Sequence, residues 1–207
     1  MAVMSQENVK RAFEGLINED TGESKIIASV EDDIDEMTRA LASYLIKVSS
    51  ATMSAAHETH VGRLHHVIND IERIGDYAVL LAKETNYMKH WDTHFMAITE
   101  EELRQIYSIL MEMFELALYS FQSRKTDQLE TIAEQQAEIK KLITFTRDVH
   151  ITRLNSNMYS VEVSKSLYSV LFSLERAADH VVNIAFSIRS DTGSKTEAFE
   201  ILKRDPR

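Results

Sequence analysis

The 207-residue sequence has no cysteine, which excludes disulfide scaffolds, thiolate metal sites and cysteine nucleophiles and is compatible with a reducing compartment. Proline occurs once, at Pro206, and glycine only five times. With the strong breakers nearly missing from a chain rich in Ala, Leu, Glu, Ile and Lys, long helices are favoured over sheets. No apolar run approaches the roughly 20 residues that cross a bilayer, and the N-terminal stretch lacks the apolar region of a signal peptide, so the chain reads as soluble, without a membrane span. Basic residues are in deficit as well: 23 Lys and Arg stand against 33 Asp and Glu, a formal charge of −10. Neutralising nucleic-acid phosphates takes stripes of Lys and Arg, so no nucleic-acid partner is expected. An acidic surface suits cations instead.

What is present is helical periodicity. Apolar positions recur at helical spacing over six segments, roughly 3–19, 25–50, 56–86, 98–123, 126–155 and 159–190. Small polar stretches separate them at Asp20 to Gly22, Ser49 to Ser54, Ser123 to Asp127 and Ser156 to Met158. The segment Asn86 to Ala97, with Trp91 and two histidines, reads as the longest irregular stretch and the link between halves. The third and sixth helices repeat one another: Asp70-Ile-Glu-Arg-Ile-Gly-Asp-Tyr-Ala-Val matches Ser173-Leu-Glu-Arg-Ala-Ala-Asp-His-Val-Val, 103 residues on from Glu72 to Glu175. The first and fourth helices agree in part, with Phe13 and Leu16 falling on Leu116 and Tyr119. The expected architecture is all-α, two tandem three-helix bundles related by internal pseudo-symmetry. Residues 1–90 form the first bundle, 98–192 the second, and 193–207 a C-terminal tail.

Residues four apart share a helix face, so Glu31 with Asp35, Glu72 with Asp76, and Glu175 with Asp179 form carboxylate pairs. The expected core stripes are Val30, Ile34, Met37 and Leu41 in the second helix, Leu64, Ile68, Ile71, Gly75 and Ala78 in the third, and Leu167, Leu171, Leu174 and Ala178 in the sixth. Each pair sits to one side of its stripe. Two helices packed by such stripes bring four carboxylates to one edge, where they repel and raise each other's pKa until a hard cation is coordinated. Oxygen ligands alone favour Mg, Mn, Ca or iron; a histidine in the shell moves the balance towards iron, zinc or nickel. A solvated acidic face is the plainer reading of any single pair. Arg73 and Arg176, directly after each Glu, are expected in salt bridges.

His57-Glu-Thr-His60 fails as a zincin motif, because Val61 stands where the second histidine belongs. His65 and Asn69 share a face with Glu72 and Asp76 but read as surface groups; His66, His90, His94 and His150 have no assignable partner. Met111, Met113 and Phe114 read as core filling. No activated nucleophile is evident, and a carboxylate-bridged di-metal enzyme would use Glu-x-x-His pairs that this sequence lacks. The chain is therefore expected not to be an enzyme. The competing readings are such an enzyme and a plain helical interaction module without metal.

The strings Asp70-Ile-Glu-Arg-Ile-Gly-Asp-Tyr-Ala and Leu174-Glu-Arg-Ala-Ala-Asp-His-Val-Val-Asn-Ile-Ala resemble the signature of the PhoU family, over nearly the whole chain. The resemblance implies two tandem three-helix bundles and multinuclear metal sites held by Glu or Asp pairs on adjacent helices. On it, Glu31, Asp35, Glu72 and Asp76 form the first site, and Glu175, Asp179 and Asn183 the second, with iron, zinc, manganese or magnesium as the metal. It further implies a regulatory role in phosphate transport or homeostasis, acting through a phosphate transporter, its membrane domain or a sensor kinase. The location is then cytoplasmic, at the inner face of the membrane, and a homo-oligomer is allowed.

Val30-Glu-Asp-Asp-Ile-Asp with Tyr44-Leu in the second helix, and Glu138-Ile, Leu142, His150 and Arg153-Leu154 in the fifth, resemble the C-terminal PhoU domain of bacterial sodium-phosphate cotransporters. That subgroup implies spanning helices ahead of Met1. In the fifth helix one register sets Gln136 and Lys140 in the places of Glu31 and Asp35, which cripples the second site; another sets Glu134 and Glu138 there and preserves it. The first register is preferred, because Met37 then meets Leu142. Leu80 replaces the Asn that free-standing family members usually place four residues after the Asp.

Overall fold

The structure is a computed structural model that describes residues 1–50 and 54–189. The expected tail and the last residues assigned to the second bundle lie outside the described residues, as do residues 51–53 of the second connection. Among the described residues there are six helices: α1 (Ala2–Ile17), α2 (Ser24–Ser49), α3 (Ala55–His90), α4 (Ala97–Ser123), α5 (Leu129–Asn155) and α6 (Val161–Phe186). None of them is long and apolar enough to cross a membrane.

With so little glycine, the chain turns at helix ends by other means. Glu19, Asp92 and Asn157 take left-handed backbone just past α1, α3 and α5, with φ of 56°, 49° and 56°. In each case the next amide bonds back to a carbonyl of the last helical turn: Asp20 N–H to Gly15 O at 2.8 Å, Thr93 to Met88 at 3.0 Å, and Met158 to Arg153 at 3.0 Å. These bonds satisfy carbonyls that a helix end would otherwise leave orphaned, at the cost of roughly 1–2 kcal/mol of local strain per non-glycine residue. At the other end, Ser54 and Ser160 cap α3 and α6, their hydroxyls accepting from His57 N and Val163 N.

α3 is longer than its sequence pattern indicates. The irregular stretch expected from Asn86 shrinks to residues 91–96, because nothing between Asn86 and His90 breaks a helix and the inward spacing Leu81, Thr85, Met88 continues through it. In the first bundle α1 and α2 pack on α3, and in the second α4 and α5 pack on α6. α3 and α6 then pack on each other, and α1 also meets α4, where the rings of Phe13 and Tyr107 stack with centroids 4.0 Å apart. One hydrophobic core runs through both bundles.

The stripes expected for α6 are all buried, Leu167, Leu171, Leu174 and Ala178 at 0–1% exposure. α2 departs from expectation. Met37 and Leu41 are 38% and 40% exposed, while Ile27, Ile34 and Leu45 are the fully buried residues of this helix. The inward line of α2 is therefore Ile27, Glu31, Ile34, Thr38 and Leu45, rotated from the all-apolar choice so that a carboxylate falls within it.

The second bundle encloses a polar core cluster. Arg153 forms a two-bond salt bridge to Glu102, at 2.7 and 2.9 Å, and donates to Thr99 Oγ1 at 2.9 Å; the Thr99 and Tyr159 hydroxyls are 2.6 Å apart. His150, which has no partner legible in sequence, is fully buried with Nε2 3.0 Å from Ser164 Oγ. Burial and the Arg153 charge hold its imidazole below the usual pKa, against a smaller opposing pull from Glu102.

Candidate functional site

The first carboxylate set depends on how closely α2 approaches α3. Gly75 lies at the crossing: a Cβ there would stand 3.3 Å from Ile34 Cδ1, so the missing side chain is what lets Ile34 seat against α3. On either side of that contact lie Glu31 and Asp35 from α2, and Glu72 and Asp76 from α3, all half-buried. The four sense one another. Burial raises the Glu31 carboxyl above its ordinary pKa, and Asp35, Asp76, Asp32 and Glu72 add to the rise. Burial likewise raises Glu72, with Asp76 and Asp35 adding and Arg73 and His180 opposing. Desolvation and like-charge crowding together favour either a proton or a cation at this edge.

Protein cations answer only part of that demand. Arg73 holds Glu72 at 3.6 Å and Asp76 at 3.0 Å, as expected of a flanking salt bridge, and Arg39 reaches Asp35 at 3.7 Å with 70% of its side chain exposed. Among the described residues no three carboxylate or imidazole groups are drawn together tightly enough to hold a metal ion. The four carboxylates thus share an edge without closing on a common point. Their chemistry still fits a hard cation: all donors are oxygens, two carry raised pKa values, and His65 is turned to Asn69, 3.4 Å away.

The second set is built differently. Asp179 accepts a hydrogen bond from Gln136 Nε2 at 2.7 Å and pairs with Lys140 Nζ at 3.2 Å and Arg176 at 3.3 Å, while Arg147 donates to Glu175 at 2.9 Å. Glu134 and Glu138 are exposed, and Glu138 pairs with Lys141 on its own helix. The fold therefore adopts the register in which Gln136 and Lys140 take the places of Glu31 and Asp35. Glu175 and Asp179, the expected ligands of a second metal, thus meet three side-chain cations, Lys140, Arg147 and Arg176. Asn183 turns towards α3. Its amide donates to Asp70 Oδ1 at 3.1 Å, the same oxygen that lies 2.7 Å from His180 Nδ1.

That Asp70–His180–Asn183 junction ties α3 to α6 and was missed in the sequence, although His180 stands in the repeat where Tyr77 stands in the first copy. The rings of Tyr77 and His180 stack at 5.9 Å across the same seam. Arg147 was missed as well; nothing in the repeat marks it as the partner of Glu175.

Comparison with known proteins agrees with the doubled plan. Residues 1–85 and 103–188 match the PhoU domain. A phosphate-specific transport system accessory protein PhoU homolog of Pseudomonas aeruginosa is 24% identical, over 89% of this chain and 76% of the relative. The homolog from Clostridium acetobutylicum is 20% identical over 90% and 85%. The crystal structure of PhoU from Pseudomonas aeruginosa superposes with a TM-score of 0.84 at 22% identity, covering 91% of this chain and 90% of that one. That of the phosphate transport system regulatory protein PhoU from Streptococcus pneumoniae gives 0.80 at 19% identity, covering 90% and 87%.

Proposed function

The chain belongs to the PhoU family, and from that premise we propose that it is a non-catalytic regulatory protein of phosphate transport whose first bundle responds to a bound metal ion. The observation that carries the metal half of this reading is the under-compensated carboxylate edge between α2 and α3, where burial and mutual repulsion raise Glu31 and Glu72. Glu31, Asp35, Glu72 and Asp76 would hold the ion. A divalent or trivalent ion such as iron, zinc, manganese or magnesium supplies positive charge that neutralises the edge and clamps α2 to α3. The regulatory half rests on the names of relatives that match both halves of the chain, accessory or regulatory proteins of phosphate transport.

The partner is then a phosphate transporter, its membrane domain or a sensor kinase, met at the cytoplasmic face of the membrane. The cotransporter-tail form of this reading places the same domain beside its transporter in one polypeptide. Elemental analysis of protein purified without chelator tests the metal: wild type is expected to retain it and Glu72→Ala with Asp76→Ala to lose it. Equal metal content in the two proteins, or none in wild type, defeats the assignment.

A further inference from the structure

At the opposite chemical extreme from the carboxylate edge is a cleft of about 370 Å³ where the N-terminal half of α3 meets the C-terminal ends of α4 and α6. His60, Arg63, Leu64, Phe121, Arg124 and Ile188 line it, and among the described residues no carboxylate does. In a chain of net charge −10, most arginines of the described residues are answered by acids, yet Arg63 and Arg124 form no ion pair with any described carboxylate. Arg63 spends one N–H on the Arg189 carbonyl, at 3.0 Å, and keeps the rest of its guanidinium. His57 belongs to the same group: its charge, with those of Arg124 and Arg63, adds to burial in lowering the pKa of His60.

A simpler role for these cations would be to balance the two helix C-termini that end here. Each terminus is worth about −0.5 charge, so two guanidiniums leave an excess of about +1 before the third, Arg189 against the Phe186 ring, is counted. The excess calls for an anion from outside. Guanidinium forks match oxygens of a tetrahedral oxyanion in a way a point charge does not.

We propose that this cleft binds a phosphate dianion, free or as the terminal group of a small phosphate monoester, held by Arg63 and Arg124 with His60 as a further donor and with Leu64, Phe121 and Ile188 facing any organic body. The site stands on its own geometry and does not depend on metal at Glu72 and Asp76.

Isothermal titration calorimetry on the full chain, at fixed ionic strength, tests it with three probes: inorganic phosphate, glycerol 3-phosphate and chloride. Binding of either phosphate probe in the millimolar range or tighter is expected, and a tighter monoester would identify the organic source. R63Q and R124Q should each weaken that binding about tenfold, the loss of a charge-assisted hydrogen bond. R104Q, which removes an exposed arginine elsewhere on α4, should leave it unchanged. Circular dichroism confirms that each variant keeps its helices. Heats no larger than those of chloride, or equal affinities in wild type, R63Q and R124Q, overturn the proposal. Metal content measured on the same preparations keeps its failure separate from that of the carboxylate site.

Discussion

Replacing Glu72 by Gln keeps the size of the side chain and removes one charge from the carboxylate edge. In the metal-free protein burial and Asp76 hold the Glu72 carboxyl above its ordinary pKa of 4.5. The folded state then binds the proton more tightly than the unfolded state, so the stability this group contributes is complete below pH 4.5 and is lost as pH rises through the folded pKa. At neutral pH the charge is a net liability. Two carboxylates about 6 Å apart on one helix face repel by about 3 kcal/mol at an effective dielectric near 20. Arg73, bonded to both, and solvent reduce this to on the order of 1 kcal/mol. Metal-free E72Q should therefore melt about 2–4 °C above wild type at pH 7, with the gap closing towards pH 4.5. Metal reverses the order. At about 100 times its dissociation constant it should stabilise wild type by about 2.7 kcal/mol, or about 5–11 °C, and E72Q should lose most of that gain. Thermal melts by circular dichroism, in chelator and in manganese or iron, read both effects. A metal-free E72Q less stable than wild type at pH 7, or a metal shift equal in the two proteins, refutes the reasoning.

Lys140→Glu with Gln136→Glu recreates in α5 the carboxylates that α2 presents, and elemental analysis should then find more metal per chain than in wild type; unchanged content speaks against Lys140 as the resident cation. Arg153→Met strands the largely buried Glu102 carboxylate, 14% exposed, and should cost about 3–5 kcal/mol, about 6–20 °C in melting temperature, most of it recovered in the Glu102→Leu, Arg153→Met double variant. Gly75→Leu drives bulk into the Ile34 contact, costing about 1–3 kcal/mol, and by pushing α2 off α3 should abolish the metal-dependent shift; a full shift in that variant would separate the site from the helix crossing.

The six helices and their doubling were legible because breakers are scarce and the stripe Leu167, Leu171, Leu174 and Ala178 of α6 is apolar and buried. α2 was misread because its inward line is of mixed polarity. A binary pattern takes the inward line to be apolar, whereas α2 turns Glu31 and Thr38 inward and leaves Met37 and Leu41 half-exposed. The register of α5 was readable only as a preference, since Gln136 and Glu134 are equally plausible neighbours of a carboxylate until the Gln136–Asp179 bond at 2.7 Å is seen. Asp70 and His180 lie 110 residues apart, beyond any local spacing rule, and His150 is buried by contacts from α6 that its own helix does not announce.

The two halves share a fold but differ in what they ask of solvent. In the first, Glu31, Asp35, Glu72 and Asp76 face Arg73 and the largely exposed Arg39; in the second, Glu175 and Asp179 face Lys140, Arg147 and Arg176. The first edge thus carries more carboxylates than paired cations, and the second more paired cations than carboxylates. A cation entering the first half would act on α3, the helix that carries Glu72 and Asp76, and six residues before Asp76 the same helix carries Asp70, bonded to His180 and Asn183 of α6. Any shift of α3 that draws the carboxylates together would therefore bear on this polar junction between the bundles, beside which Ser166 of α6 also donates to Glu84 of α3 at 2.9 Å.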